Sequence, residues 1–595
     1  MIFATLLLSA APASPAQSES PDAPFEERFT SLAGTQPAQW RVTFGEYPAH
    51  EALVSWSTAE AGEVHRVRYA PLSPQTGEAG AESVVQAYQS GAYTRREEDV
   101  RPGAWYHHVR LAELQPSTTY RFVIESDDAR SRELHFTTAP VDDRPFSILV
   151  GGDSRSGWRA RCYINLAIAG LAGETDPPLA FSHGGDYVMY GPSWDEWSRW
   201  LTHLELCTAD NGRVLPIIPT RGNHDVGPLY DEIFDTPGGE GRNYFHTRLA
   251  PGVSLLTLNS NIPVAGDQLT WLEAELAAAE AGARWLLASY HAALYPAVKP
   301  PGPAKSFWPP LFDQYGVDLV LESDGHAIKR TPPIRGDELH PEGVVYVGEG
   351  GLGVPQRNPR SDAWYLKEPG MVTRGHHVIR LDVSNEALRA RFLKLDDLPP
   401  NVDPDDYQTI VPPGSPFAYL GSDDAPAGWT SVEFDDAAWP VGEAGFGYGD
   451  EDDSTVLHDM RGNYARVHLR TTIDDSAFEG ADELHLMCRY DDAFVAFLNG
   501  HEIVRVGVTE PSKPGRSPRI KTHEARELEA FPIEGWREYV RDGMNVLALV
   551  GYNRMRTDKD FTLDPWLAGD RKTSDTLRLP GLTTIDDTTL APRTR

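Results

Sequence analysis

Five polar clusters, each just after an apolar run, hold residue types suited to binding metal ions. They are Gly151-Gly152-Asp153-Ser154-Arg155, His183-Gly184-Gly185-Asp186-Tyr187, Arg221-Gly222-Asn223-His224-Asp225, His291, and Asp324-Gly325-His326. The intervals between Asp153, Asp186, Asn223, His291 and His326 are 33, 37, 68 and 35 residues. Each interval accommodates one or two strand–helix units, so all five side chains can converge on one edge of one sheet. Carboxylate and amide oxygens with imidazole nitrogens form a mixed donor set suited to Mn, Fe or Zn. A bridging carboxylate can hold two cations about 3.5–4 Å apart, which clamp the oxygens of an in-line displacement and acidify bound water. A single Asp or His from this set reads as a cap or a surface residue. Five in order after five strands do not.

The elements that must position them are legible as a change of pattern. From Phe146 onward, apolar runs (Phe146–Val150, Leu179–Phe181, Val214–Ile218, Val253–Leu258, Trp285–Ala288, Val317–Leu321) alternate with helical stretches. In Gln268–Glu280, Leu269, Leu272 and Leu276 share a helical face. Buried strands alternating with helices predict a layered α/β domain over 145–396. Ahead of it, short segments with period-2 alternation predict a β-sandwich over 38–141. Its Leu111-x-x-Leu114-x-Pro116-x-x-x-Tyr120 run resembles the tyrosine corner of fibronectin type III domains. After an acidic, Pro-rich linker at 397–412, strand-like runs and the Asn499-Gly500 turn predict a second all-β domain over 413–571. Residues 18–37 read as a linker and 572–595 as a frayed tail.

Composition narrows the function classes. The chain has 595 residues, room for three to four domains at about 150 residues each. Its net charge of −33 disfavours a nucleic-acid or membrane-surface binder, and otherwise signals only solubility. Residues 1–17 carry a short apolar run ending in small residues, which suits a signal peptide and is too short to span a membrane, although the usual basic start is missing. The expected location is secreted or periplasmic. Three cysteines, Cys162, Cys207 and Cys488, exclude a disulfide scaffold; a Cys162–Cys207 pair and three buried thiols both stay open.

The motif order resembles that of the calcineurin-like metallophosphoesterases and, within them, the purple acid phosphatases: Gly-Asp, Gly-Asp-x-x, Gly-Asn-His-(Asp/Glu), a His after an apolar strand, and Gly-His-x-His. The resemblance covers roughly residues 38–395, and Gly222-Asn223-His224-Asp225 is its most specific element. It implies that Asp153 and His326 bind one metal, that Asp186 bridges, and that Asn223 and His291 bind the second. His224 would contact the substrate phosphate and assist the leaving group. Two departures stand out. Met189 occupies the place of a tyrosine three residues after the bridging Asp, which weakens the case for Fe(III); Tyr187 and Tyr190 read as packed aromatics. Asp324 replaces the first His of Gly-His-x-His, as a ligand of harder character. Arg155 stands where many members have His; it can bind phosphate bidentately, with a surface ion pair as the equal competitor.

The C-terminal region resembles the galactose-binding-type jelly rolls appended to exported enzymes, through Trp429, Asp435–Trp439, Gly445–Gly449 and Tyr490–Gly500. A carbohydrate partner is what that likeness implies, though fold alone does not assign one. Asp450–Asp453 reads as a solvated acidic loop ahead of a calcium site. The whole implies a phosphatase acting on small phosphorylated substrates through two Fe, Mn or Zn ions and metal-bound hydroxide. Two readings compete with it: an exported carbohydrate- or surface-binding protein with a decayed metal site, and a phosphodiesterase or nucleotidase.

Overall fold

A computed structural model describes residues 23–593 except 240, 361, 401–402, 404–405, 450–452, 510–517, 525–527 and 573–578. The signal-peptide segment at 1–17 and most of the acidic Asp450–Asp453 stretch lie outside the described residues. The chain divides into two units, Pro24–Leu398 with Leu579–Arg595, and Pro399–Arg578. Among the described residues no helix is long and apolar enough to cross a membrane.

The first unit is built on two large sheets. Five strands carry the polar clusters at their C-terminal ends: β1 (Phe146–Gly151), β2 (Ala180–His183), β3 (Ile217–Pro219), β4 (Trp285–Ala292) and β5 (Leu319–Ser323). They do not share one sheet. β1, β2 and β3 pair in parallel in a ten-stranded sheet, whereas β4 and β5 pair in parallel in a seven-stranded one. The apolar inner residues of both, such as Ile148, Val150 and Ile218 from one and Leu287, Leu319 and Leu321 from the other, belong to one buried cluster. Spacing reports how many crossovers separate two strands, not which sheet each joins, so the single-sheet expectation fails here. Helix Asp267–Glu280 follows the pattern read from sequence, with Leu272 and Leu276 fully buried and Leu269 half-buried, and a second helix spans Trp158–Ala172.

The N-terminal β region is joined to this core more closely than a separate sandwich. Its strands Ala38–Thr43, Ala52–Thr58, Trp105–Leu111 and Gln89–Ala92 extend the ten-stranded sheet, through a parallel register of Thr43 with Ile217. A second, five-stranded sheet includes His65–Pro71 and Thr119–Ser126. The Tyr120 hydroxyl accepts the Gln115 amide at 2.8 Å, the bond a tyrosine corner makes.

Three segments read as linkers or tail are ordered elements. Residues Ala23–Arg28 form a short 3-10 helix whose Phe25 is buried edge-on against Tyr163, and Phe29 stacks on His203. In the second unit, Tyr407–Val411 is a strand paired with Phe561–Arg571. Leu582–Leu590 is an antiparallel strand on Leu388–Leu395, tied by Arg389–Asp587 and Arg330–Asp586 ion pairs. Its Leu-Thr-Thr-Ile-Asp-Asp-Thr-Thr-Leu sequence is mostly polar because it forms a solvent-facing edge; backbone pairing holds it, which composition does not reveal.

The second unit has two six-stranded sheets around a core that includes Phe417, Phe446, Leu469, Phe494, Leu549 and Leu563. Asn499 and Gly500 both take positive φ (52° and 85°) in the turn between Ala493–Leu498 and His501–Val506, as the hairpin reading expects. Cys162, Cys207 and Cys488 are buried free thiols, which resolves the choice left open by sequence.

Candidate metal centre

The loops after β1, β2, β3 and β5, with the last residues of β4, bring Asp153, Asp186, Asn223, His291, Asp324 and His326 into one linked cluster, despite their origin in two sheets. Asp153, Asp186 and His291 offer ligand atoms all within 4.8 Å of one another, and all three are buried. His326 Nε2 lies 3.4 Å from Asp153 Oδ1. His291 Nε2 lies 3.0 Å from Asn223 Oδ1, 3.2 Å from Asp186 Oδ1 and 3.6 Å from Asp324 Oδ1.

The backbone is held in an uncommon conformation to achieve this. Asp153, Asp186, Asp324 and His326 all sit at left-handed φ, between 57° and 73°. Such a conformation costs a non-glycine residue about 1–3 kcal/mol and tends to gather at functional sites. Neighbouring glycines make room: a Cβ on Gly222 would lie 2.2 Å from the Asp186 nitrogen, and one on Gly350 would lie 1.9 Å from Asp153 Oδ2.

Three imidazoles are oriented in the same way. His291 Nδ1–H donates to the Gly184 carbonyl (2.9 Å), His326 Nδ1–H to the Pro355 carbonyl (3.2 Å), and His224 Nδ1–H to the Met189 carbonyl (2.7 Å). A carbonyl can only accept, so Nδ1 carries a proton in each ring and Nε2 is the nitrogen turned to the cluster. His224 Nε2 stands 3.9 Å from Asp186 Oδ2. Nitrogen and oxygen lone pairs brought this close repel one another unless a positive charge lies among them. The electrostatics agree. Burial opposes a charged His291, yet the Asp186, Asp324 and Asp153 carboxylates hold its proton affinity well above the ordinary histidine value. Burial likewise opposes ionised Asp186, but His291 and the His224 amide bring it down to about 2. Asp153 Oδ1 is buried with no hydrogen-bond partner, an acceptor left for a cation. The donor set and its orientation therefore fit metal ions.

Arg155 is not the surface ion pair that competed in the sequence reading. It is buried, with Nε 3.2 Å from Asp186 Oδ2 and a terminal nitrogen 3.4 Å from His326 Nε2. Another terminal nitrogen donates to Met189 Sδ at 2.6 Å, so the thioether stands beside the guanidinium. Neither nearby tyrosine substitutes for it. Tyr187 is buried, stacked on His183 at 4.0 Å, and Tyr190 is half-exposed beneath Arg96.

Some residues that shape the site carried no assigned role in the sequence reading. Asp225 accepts the amides of Gly222 (2.7 Å), Asp186 (2.8 Å) and Tyr187 (2.9 Å), tying the loop after β3 to the loop after β2. Burial, with the Asp186 charge beside it, pushes its pKa up to about 7. Its place in Gly-Asn-His-Asp was the available signal. Lys299 pairs with Asp324 from a Pro-rich loop with no motif at all.

Comparison with known proteins identifies the domains that carry most of these residues. Residues 37–138 match the purple acid phosphatase N-terminal domain, and 163–327 match the calcineurin-like phosphoesterase family. Purple acid phosphatase 15 of Arabidopsis thaliana is 26% identical over 41% of this chain and 53% of its own length. An uncharacterized protein of Mycobacterium tuberculosis is 26% identical over 50% of this chain and 62% of its own. The chain thus spans about half to three-fifths of the length of these relatives. The structure of a purple acid phosphatase from yellow lupin, Lupinus luteus, shares the fold at a TM-score of 0.51 and 16% identity, over 60% of this chain and 72% of that one. Matched domains, motif order and converging donors lead to one conclusion: this chain carries a purple acid phosphatase N-terminal domain followed by a calcineurin-like phosphoesterase domain.

Proposed function

We propose that the protein hydrolyses phosphoric esters, small phosphomonoesters above all, at a centre holding two transition-metal ions. The observation that supports this most directly is the set of three imidazole Nε2 atoms turned toward Asp153, Asp186 and Asp324 by backbone carbonyls. In this reading Asp153 and His326 would hold one cation and Asn223, His291 and Asp324 the other, with Asp186 available to both. When bound, the cations would neutralise phosphate oxygens and lower the pKa of water at the site. With Met189 in place of a phenolate, the donors are carboxylates, an amide and imidazoles, which suit Mn, Zn or Fe in the divalent state.

The chain's own residues do the rest. Arg155, buried beside Asp186 and His326, presents a fixed positive charge to a phosphoryl oxygen. His224, oriented by the Met189 carbonyl, gives the Nε2 proton of its imidazolium form to the departing alkoxide. Asp225 holds the two loops that carry Asp186 and His224 in register.

The test is metal analysis with hydrolysis of p-nitrophenyl phosphate. We expect about two metal ions per chain, and Asp186→Asn or Asn223→Ala to lower hydrolysis by at least about 1000-fold with the circular dichroism spectrum unchanged. Full activity in either variant would overturn the assignment.

Two further readings belong here. Export to the periplasm or medium, suggested by residues 1–17, predicts a mature N-terminus near residue 18. The Pro399–Arg578 unit resembles galactose-binding jelly rolls, and Trp429, Phe497 and Tyr552 line a cleft of about 280 Å3 on it, a surface on which sugar rings could stack. A glycan array read with the whole protein tests that assignment, and no binding above background would refute it.

A further inference from the structure

A second group of chemically competent side chains lies outside the metal cluster. His246 sits on the edge strand Phe245–Ala250, Ser254 on its neighbour Val253–Thr257, and Glu275 on the helix Asp267–Glu280. The antiparallel register sets Arg248 opposite Ser254 and His246 opposite Leu256, so these side chains share one face of the sheet. Ser254 Oγ is 2.8 Å from His246 Nε2, and His246 Nδ1 is 2.7 Å from Glu275 Oε2. Arg248 stands 3.5 Å from the same carboxylate oxygen. Ser254, His246, Arg248 and Glu275 all line a cavity of about 410 Å3, whose other walls include Tyr47 and Val141.

The hydrogen bonds have one consistent direction. An ionised carboxylate only accepts, so Glu275 takes the Nδ1 proton of His246, and the Nε2 lone pair is left facing the Ser254 hydroxyl. Burial lowers the proton affinity of His246, keeping the ring neutral near pH 7 and able to take a proton. Arg248 balances the Glu275 charge and brings a cation to the cavity beside the serine. A nucleophile, an oriented base, the group that orients it, a positive charge and a cavity of small-ligand size are the parts an acyl-transfer site requires.

We propose that Ser254, His246 and Glu275 form a second, metal-independent hydrolytic site for small carboxylic esters. Ser254 Oγ bonds to the ester carbonyl carbon while its proton passes to His246 Nε2, and Arg248 stabilises the negative charge that develops on the carbonyl oxygen. Collapse breaks the carbon–alkoxide bond, and His246 returns the proton to the leaving alcohol. Water then attacks the acyl carbon, giving a proton to His246. The carbon–Oγ bond breaks, Ser254 recovers its proton from His246, and the carboxylic acid leaves. Glu275 keeps the tautomer and steadies the transient imidazolium.

The test uses the purified holoprotein with p-nitrophenyl butyrate, a fluorophosphonate probe and EDTA. The expected result is covalent labelling mapped to Ser254 by mass spectrometry. EDTA should abolish hydrolysis of p-nitrophenyl phosphate while leaving butyrate hydrolysis within about twofold. Ser254→Ala should lower butyrate hydrolysis by about 100-fold or more, with an unchanged melting curve. Absence of the label at Ser254, loss of butyrate hydrolysis in EDTA, or full butyrate hydrolysis in Ser254→Ala would overturn the proposal and identify the trio as a packing contact. The labelling arm uses the unmodified protein, so a variant that misfolds does not blunt the test.

Discussion

The phosphoesterase region and the Pro399–Arg578 unit are both rich in strands and acidic loops, yet they place their polar groups in opposite ways. In the first, parallel strands require crossovers, so their C-terminal ends open into loops on a common side. Asp153, Asp186, His291 and His326 are buried there, with side-chain atoms converging on one another. In the second, the Asn499-Gly500 turn is too short to present a site, and the buried polar groups serve their own backbone. Asp492 accepts the amides of His523 and Arg554, and Asn545 accepts the Arg541 amide. Several of its loop carboxylates pair at the surface instead, as in Asp482–Arg537 and Glu433–Arg541. Strand connectivity, more than acidic composition, decides where buried carboxylates can gather.

The comparison can be broken most severely at Gly222. A Cβ there would meet the Asp186 nitrogen and Oδ1 at 2.2 and 2.3 Å, so Gly222→Ala must displace the Asp186 carboxylate. Displacement on that scale is expected to lower p-nitrophenyl phosphate turnover by about 100-fold, with the fold retained. An unchanged rate would show that the loops after β2 and β3 need not be held together.

The counterpart in the second unit is Leu549, fully buried in its core. Leu549→Ala should remove about 2–5 kcal/mol from the unfolding of that unit, read as a lowered calorimetric transition. Phosphate-ester hydrolysis at 25 °C should hold within about twofold. A parallel fall in rate would mean that the two regions are energetically linked.

The smallest expected effect concerns the N-terminal sheets. His108 is buried between the Ser55 hydroxyl (2.7 Å) and the Glu232 carbonyl (3.1 Å), and burial with the nearby Arg41 charge lowers its pKa to about 3. In the unfolded chain it titrates near about 6.5, so between about pH 6.5 and 3 the unfolded state binds the extra proton. Stability is retained above that window and falls as pH drops through it, by up to about 1.4 kcal/mol per unit from this group. Urea midpoints of wild type and His108→Asn at pH 7 and 5 should differ in slope, with the variant the flatter. Equal slopes would place the acid sensitivity elsewhere.

Particular residues show how far the sequence could be read. Gly222-Asn223-His224-Asp225 and the spacing of the Asp and His residues were visible because they sit in short contiguous motifs after apolar runs. The division of β1–β5 between two sheets was not, since a crossover of given length can return to either layer. The Leu582–Leu590 strand escaped notice because an edge strand is held by backbone bonds that leave no hydrophobic period. Arg155 reads evenly as surface or site from sequence, and its burial between Asp186 and His326 removes the surface alternative. Lys299 and the Ser254–His246–Glu275 trio carried no local signature; their partners are distant in sequence or on the far side of a sheet register.

The order of residue types along the chain was therefore enough to nominate candidate donor atoms, because coordination preference belongs to the side chains themselves. Which Nε2 atoms face inward, which guanidinium is buried among them, and which serine meets a histidine depended on the folded chain. Those properties come from backbone carbonyls and neighbouring strands that only the packed structure brings within hydrogen-bonding distance.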